Sequence, residues 1–73
     1  MEIQWLKAFL AISEQGSVSE AAEQLHLTQP AVSKRLASLE QQLGTPLFDR
    51  IGRKLQLTNA GKALLPRARH ILN

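Results

Sequence analysis

The sequence predicts a mainly α domain: a three-helix core, a short two-stranded hairpin, and a long fourth helix that ends the chain. Three observations predict it. Apolar residues recur at helical spacing in four separate stretches of the sequence. Each stretch has next to it a hydroxyl or a glycine of the kind that starts or stops a helix. Between the third and fourth stretches, two short apolar pieces flank Gly52 without a helical period.

The first helix is expected from about Glu2 to Gln15. Leu6, Phe9, Leu10 and Ser13 share one face of it, Trp5 and Ile12 flank that face, and Ala8 and Ala11 favour helix by propensity. Gly16 stops it. Ser17 and Ser19 are both candidate N-caps for a short second helix, and Ser19 has Glu20 and Glu23 in the following turn, beside the positive helix end. Val18, Ala21, Ala22 and Leu25 should face inward, the two alanines permitting a close helix crossing. Leu27 closes the short connection.

The third helix is expected from about Gln29 to Leu43. Thr28 can accept the first free N–H groups, Pro30 falls where little or no hydrogen bond is lost, and Gly44 followed by Pro46 ends the helix. Val32, Leu36, Leu39 and Leu43 form its apolar stripe. At about 100° per residue, Pro30, Ser33, Lys34, Ala37 and Ser38 fall on the opposite face, which is small, polar and partly basic. Two helices joined by so short a turn make a helix-turn-helix unit.

Leu47-Phe48 and Leu55-Gln56-Leu57 are strand candidates, and the basic hairpin between them reads as a wing. Thr58 should cap the fourth helix, whose stripe of Leu64, Leu65, Ala68, Ile71 and Leu72 is expected to meet a partner. Pro66 should remove one backbone bond, to the Lys62 carbonyl, and kink the helix. The resulting division is a winged helix-turn-helix domain at residues 1–58 and a linker or dimerisation helix at 59–73, the front of a longer protein.

Composition bounds the function classes. With 73 residues, one small domain buries only about 60% of its unfolded surface, so a partner chain or a longer parent would steady it. No stretch approaches the roughly 18 apolar residues of a membrane span, and Glu2 with the early amphipathic pattern argues against a signal peptide. There is no cysteine, which excludes disulfides and thiolate metal ligands and agrees with a cytoplasmic place. His26 and His70 lie far apart without an ordered carboxylate cluster, so no metal is expected. The serines are explained as caps, no histidine is placed to activate one, and no glycine-rich phosphate loop exists; the chain is not expected to be an enzyme. The net charge of +3 conceals an asymmetry. Every acidic residue lies at or before Asp49, while Arg50, Arg53, Lys54, Lys62, Arg67 and Arg69 follow it. Such a surface suits a polyanion, or equally an anionic lipid.

The ordered run of Phe9, Gly16-Ser17, Ala21-Ala22, Leu25, Thr28-Gln29-Pro30-Ala31-Val32-Ser33, Leu39-Glu40, Leu43-Gly44, Leu47-Phe48, Arg50, Arg53, Leu57-Thr58 and Ala60-Gly61 resembles the N-terminal DNA-binding domain of LysR-type transcriptional regulators over essentially the whole chain. Thr28 stands where the family more often has serine. The resemblance implies a bacterial cytoplasmic regulator that binds double-stranded DNA as a homodimer at an interrupted palindrome, with tetramers open to the longer parent. It implies Gln29, Pro30, Ser33 and Lys34 in the major groove and Arg53 of the wing in the minor groove. The chemistry is independently suitable: Gln29 can pair with adenine, Lys34 with guanine, and Pro30 with a thymine methyl. Ser17, Thr28, Ser38, Arg50 and Lys54 are assigned to phosphates, which fix register rather than read sequence. Leu64, Leu65, Ala68, Ile71 and Leu72 are assigned to the dimer contact. No cofactor is expected here; a small-molecule effector belongs to the C-terminal domain that such regulators carry.

Other roles suit the same residues. A polar helix face is by default solvated, and Arg50, Arg53 and Lys54 could merely protect strand edges. Arg50 could pair with Asp49 or Glu40. Trp5 reads as core or dimer contact, and Phe48 as core. The alternatives to the LysR reading are a winged-helix module of another regulator, such as the molybdate-responsive type, and a helical protein-interaction module that uses the fourth-helix stripe.

Overall fold

Helix α1, Ile3–Gln15, carries the core on both its sides in the computed structural model, which describes residues 1–73. It is followed by α2 (Val18–Leu25), α3 (Gln29–Leu43), strands β1 (Phe48–Ile51) and β2 (Lys54–Leu57), and α4 (Asn59–Leu72). One side of α1 gives Leu6 and Phe9 to a cluster with Leu39, Leu47, Leu64 and Ala68. The other gives Ala8, Ala11 and Ile12 to a cluster with Ala21, Ala22 and Val32. Ala8 and Ala11, which favour helix by propensity, are also buried, in the cluster that holds the two alanines of α2. Leu36 and Phe48 pack on both clusters, and the Phe48 ring lies 5.5 Å from that of Phe9, tilted by 46°. Phe48 is therefore half-buried, a bridge between clusters rather than a fully enclosed core residue.

Local chemistry sets each boundary. Gly16 and Gly44 take the left-handed conformation that ends α1 and α3. His26 does the same for α2 at φ 57°, and the Leu27 N–H reaches back to the Ala22 carbonyl at 2.9 Å. A histidine tolerates this region better than bulkier or branched residues do, which gives His26 a backbone role that the sequence did not disclose. The connection between α2 and α3 is thus His26-Leu27-Thr28.

β1 and β2 are antiparallel, with Phe48 opposite Leu57 and Ile51 opposite Lys54. The strands are longer and the turn shorter than the sequence suggested, since only Gly52 and Arg53 remain between them. Gly52 has φ 63° and Arg53 does not share the positive φ, the pattern of a II′ hairpin turn. Thr58 joins the hairpin to α4: its Oγ1 accepts the Gly61 N–H at 3.1 Å and donates to the Pro46 carbonyl at 2.7 Å, while its N–H donates to Leu47 O at 3.0 Å. α4 runs through Pro66 to Leu72.

The apolar stripe of α4 is covered mostly by its own chain and not by a partner. Leu64 and Ala68, expected at a dimer contact, are buried against α1 and Leu47 within the same chain, and Leu72 packs on the edge of that cluster. The stripe had its partner in its own fold. Ile71, 51% exposed, is the member left to solvent, with Leu65 half-buried beside the core.

Candidate nucleic-acid interface

The start of α3 is held from behind and open in front. Val32 and Leu39 are fully buried, so the rear of the helix is fixed, while Gln29, Pro30, Ser33 and Lys34 are all exposed. Thr28 begins the helix, its Oγ1 accepting the Ala31 N–H at 3.2 Å, and Pro30 sits in the first turn. Ser38, one turn beyond Lys34, is half-buried. The front of the helix thus presents a ring, a hydroxyl, an amide and an ammonium group over two turns.

Ser17 caps α2 by accepting the Glu20 N–H at 3.0 Å. A hydroxyl that accepts a capping bond still has its own proton to donate, so Ser17 and Thr28 each combine a donor with the positive end of a helix. Ser19, the other cap candidate, does not cap. Its Oγ lies 3.4 Å from the Nε2 of Gln29 and accepts from it, a link between α2 and α3 absent from the sequence reading because residues ten apart share no periodic signal.

The hairpin separates its cations rather than gathering them. Alternate strand residues face opposite sides, and Leu55 and Leu57 are the half-buried residues of β2. Arg50, opposite Leu55, therefore belongs to the side that carries Phe48, whereas Lys54, opposite Ile51, belongs to the other side with Asp49. Arg53 stands in the turn. All three are exposed. Glu40 is not a partner for Arg50 here: its carboxylate accepts the Leu47 N–H at 2.7 Å. Phe48 and Leu55 pack on the cluster that holds Val32, so the base of the hairpin and the rear of α3 share one support.

Residues 3–62 match the family model described as bacterial regulatory helix-turn-helix protein, lysR family. The chain belongs to the LysR family. It is 64% identical over 73 residues to an uncharacterised HTH-type transcriptional regulator of Azotobacter vinelandii, covering 100% of this chain and 51% of that protein. It is 47% identical over 72 residues to the HTH-type transcriptional regulator TfdS of Cupriavidus pinatubonensis, covering 99% of this chain and 24% of the relative. The chain therefore spans about half of the first relative's length and about a quarter of the second's. Among solved structures, it is similar to the DNA-binding domain of CbnR in complex with DNA (TM-score 0.92, 43% identity, 99% of this chain and 83% of that one). It is similar also to the DNA-binding domain of BenM with catB site 1 DNA (TM-score 0.93, 33% identity, 99% and 81%). The four helices and two-stranded hairpin are accordingly the LysR winged-helix fold. No helix is long and apolar enough to cross a membrane.

Proposed function

We propose that this chain grips double-stranded DNA as the DNA-binding end of a LysR-type regulator of transcription in the bacterial cytoplasm, with α3 in the major groove and the hairpin beside it. One observation carries the reading: the first two turns of α3 are exposed in front and anchored behind by Val32 and Leu39. A groove about 12 Å wide admits such a helix. The similarity to two DNA-binding domains solved with DNA supports the same reading.

Gln29 and Lys34 read adenine and guanine edges, and Pro30 and Ser33 lie against the bases between. Ser17 and Thr28 donate their hydroxyl protons to phosphates at two helix starts, and Ser38, Arg50 and Lys54 hold backbone. Arg53, at the tip, enters a narrow A·T-rich minor groove, where the negative potential is strongest. Two copies related by a two-fold axis would set their α3 helices about 34–36 Å apart, which makes an interrupted palindrome the operator. Ile71 is the member of the α4 stripe free to join such a dimer, and a longer parent would carry the small-molecule effector site. The activity proposed is binding without chemistry.

The test is the salt dependence of duplex binding. The logarithm of affinity should fall against the logarithm of salt with a slope of about 0.9 per phosphate neutralised. A flat dependence would end the DNA reading and favour the protein-interaction alternative, in which the exposed part of the α4 stripe, Ile71, does the binding.

A further inference from the structure

The hydroxyl of Ser19 takes no part in capping α2, because Ser17 holds that place. It faces Gln29 instead, whose Nε2 donates to Ser19 Oγ at 3.4 Å across the turn between α2 and α3. Both residues are exposed. Gln29 is the first residue of α3. At about 100° per residue it stands on the flank of the exposed arc nearest the apolar stripe, and that stripe, through Val32, packs on Ala21 and Ala22 of α2. The amide is therefore the one base-reading group on α3 tied to a neighbouring element.

We propose that Ser19 is a positioning residue for base reading, its hydroxyl holding the Gln29 amide in the orientation that selects adenine over guanine. The inference rests on the reading of α3 as the helix that enters the major groove. An amide has two N–H donors and a carbonyl acceptor. With one N–H on Ser19, the other N–H and the carbonyl oxygen remain for DNA, the donor and acceptor that adenine N7 and N6 require. Turned over, the amide would accept the Ser19 O–H and present two N–H groups, which suits guanine N7 and O6. The orientation in the structure leaves the Ser19 proton free for an acceptor-only partner. A phosphate oxygen beside the start of α2 is such a partner and favours this orientation over the reverse one.

The experiment selects bound duplexes from a random pool with the chain and with its Ser19→Ala, Ser19→Thr, Ser19→Val, Gln29→Ala and Ser19→Ala/Gln29→Ala variants. Kd is then measured on duplexes that differ only by A·T or G·C at the position where Gln29→Ala loses its preference. Ser19→Ala and Ser19→Val are expected to lower the A-over-G ratio roughly three- to tenfold. Ser19→Thr, which keeps the hydroxyl in the shape of valine, should hold the ratio of the parent, and Ser19→Ala should change nothing further in the Gln29→Ala background. Thermal midpoints should stay together, since Ser19 is exposed and caps nothing. An unchanged ratio in Ser19→Ala and Ser19→Val, with Gln29→Ala still altering it, would overturn the role of Ser19 alone. Base preferences untouched by Gln29→Ala would overturn the recognition face and this inference with it.

Discussion

The carboxylate of Glu40 accepts the backbone N–H of Leu47 at 2.7 Å, across the loop that leads from α3 to the hairpin. Leu47 is fully enclosed, so its N–H has little access to water. Glu40→Ala should leave that donor unsatisfied and lower stability by about 1–3 kcal/mol. Glu40→Gln, which keeps an acceptor oxygen, should lose less. Urea unfolding of the two variants checks this, and equal losses would mean that the acceptor is not what matters at this position.

Gly61 lies where the start of α4 crosses the base of the hairpin. A Cβ added there would clash with the Leu47 carbonyl oxygen and lie 2.8 Å from Leu57 Cδ2. In an open helix, Gly→Ala stabilises by about 1 kcal/mol. Here the obstacle is backbone that the Thr58 N–H already holds, so Gly61→Ala should instead destabilise by about 2 kcal/mol. In a domain of this size that is a fall of roughly 8–16 °C in Tm. The sign of the shift decides the matter: a rise in Tm would show that α4 is free to move off the hairpin.

Much of this was legible in the sequence, and the exceptions have identifiable causes. The bounds of α3 were readable because Thr28 and Gly44 are chemically specific signals at its two ends. The close alanine crossing of α1 and α2 was readable from α2 only, since alanine on α1 serves propensity and packing alike and carries no periodic signal. The full length of β1 is not legible, because Asp49, Arg50 and Ile51 are all exposed and no alternation marks them. An apolar stripe on α4 reports that something covers it, not what; Leu47 and α1 are distant in sequence and cover most of it. The link from Ser19 to Gln29 depends on a tertiary angle between helices, which no local pattern encodes.

Leu64 and Ile71 belong to the same stripe but differ in what they touch. Leu64 is 8% exposed and Ile71 51%. Leu64→Asp would place an unpaired charge in the chain's own core and should cost about 3 kcal/mol or more. Ile71→Asp should change the stability of the single copy by no more than about 0.5 kcal/mol and lower self-association. Circular dichroism melts with sedimentation of both variants separate the two effects. Unaltered sedimentation of Ile71→Asp would move the dimer contact away from this end of α4.

Lys34 and Arg53 should fail in different ways when truncated, because one is exposed on the front of α3 and the other stands in the turn of the hairpin. Lys34→Ala removes a donor for guanine O6 and N7 and should lose about 1–3 kcal/mol of discrimination at that base. Arg53→Ala should leave the central base preferences in place and weaken binding mostly on duplexes with A·T-rich flanks, where the narrow minor groove concentrates negative potential. It should also lower the salt slope by about one. Kd values on specific, random and flank-altered duplexes at several salt concentrations resolve both. If Lys34→Ala binds specific and random duplexes with the parent's ratio, the ammonium group contacts phosphate rather than base, and the reading edge of α3 ends at Ser33. If Arg53→Ala weakens all duplexes alike, the turn of the hairpin meets the backbone only, and no part of the specificity resides in the minor groove.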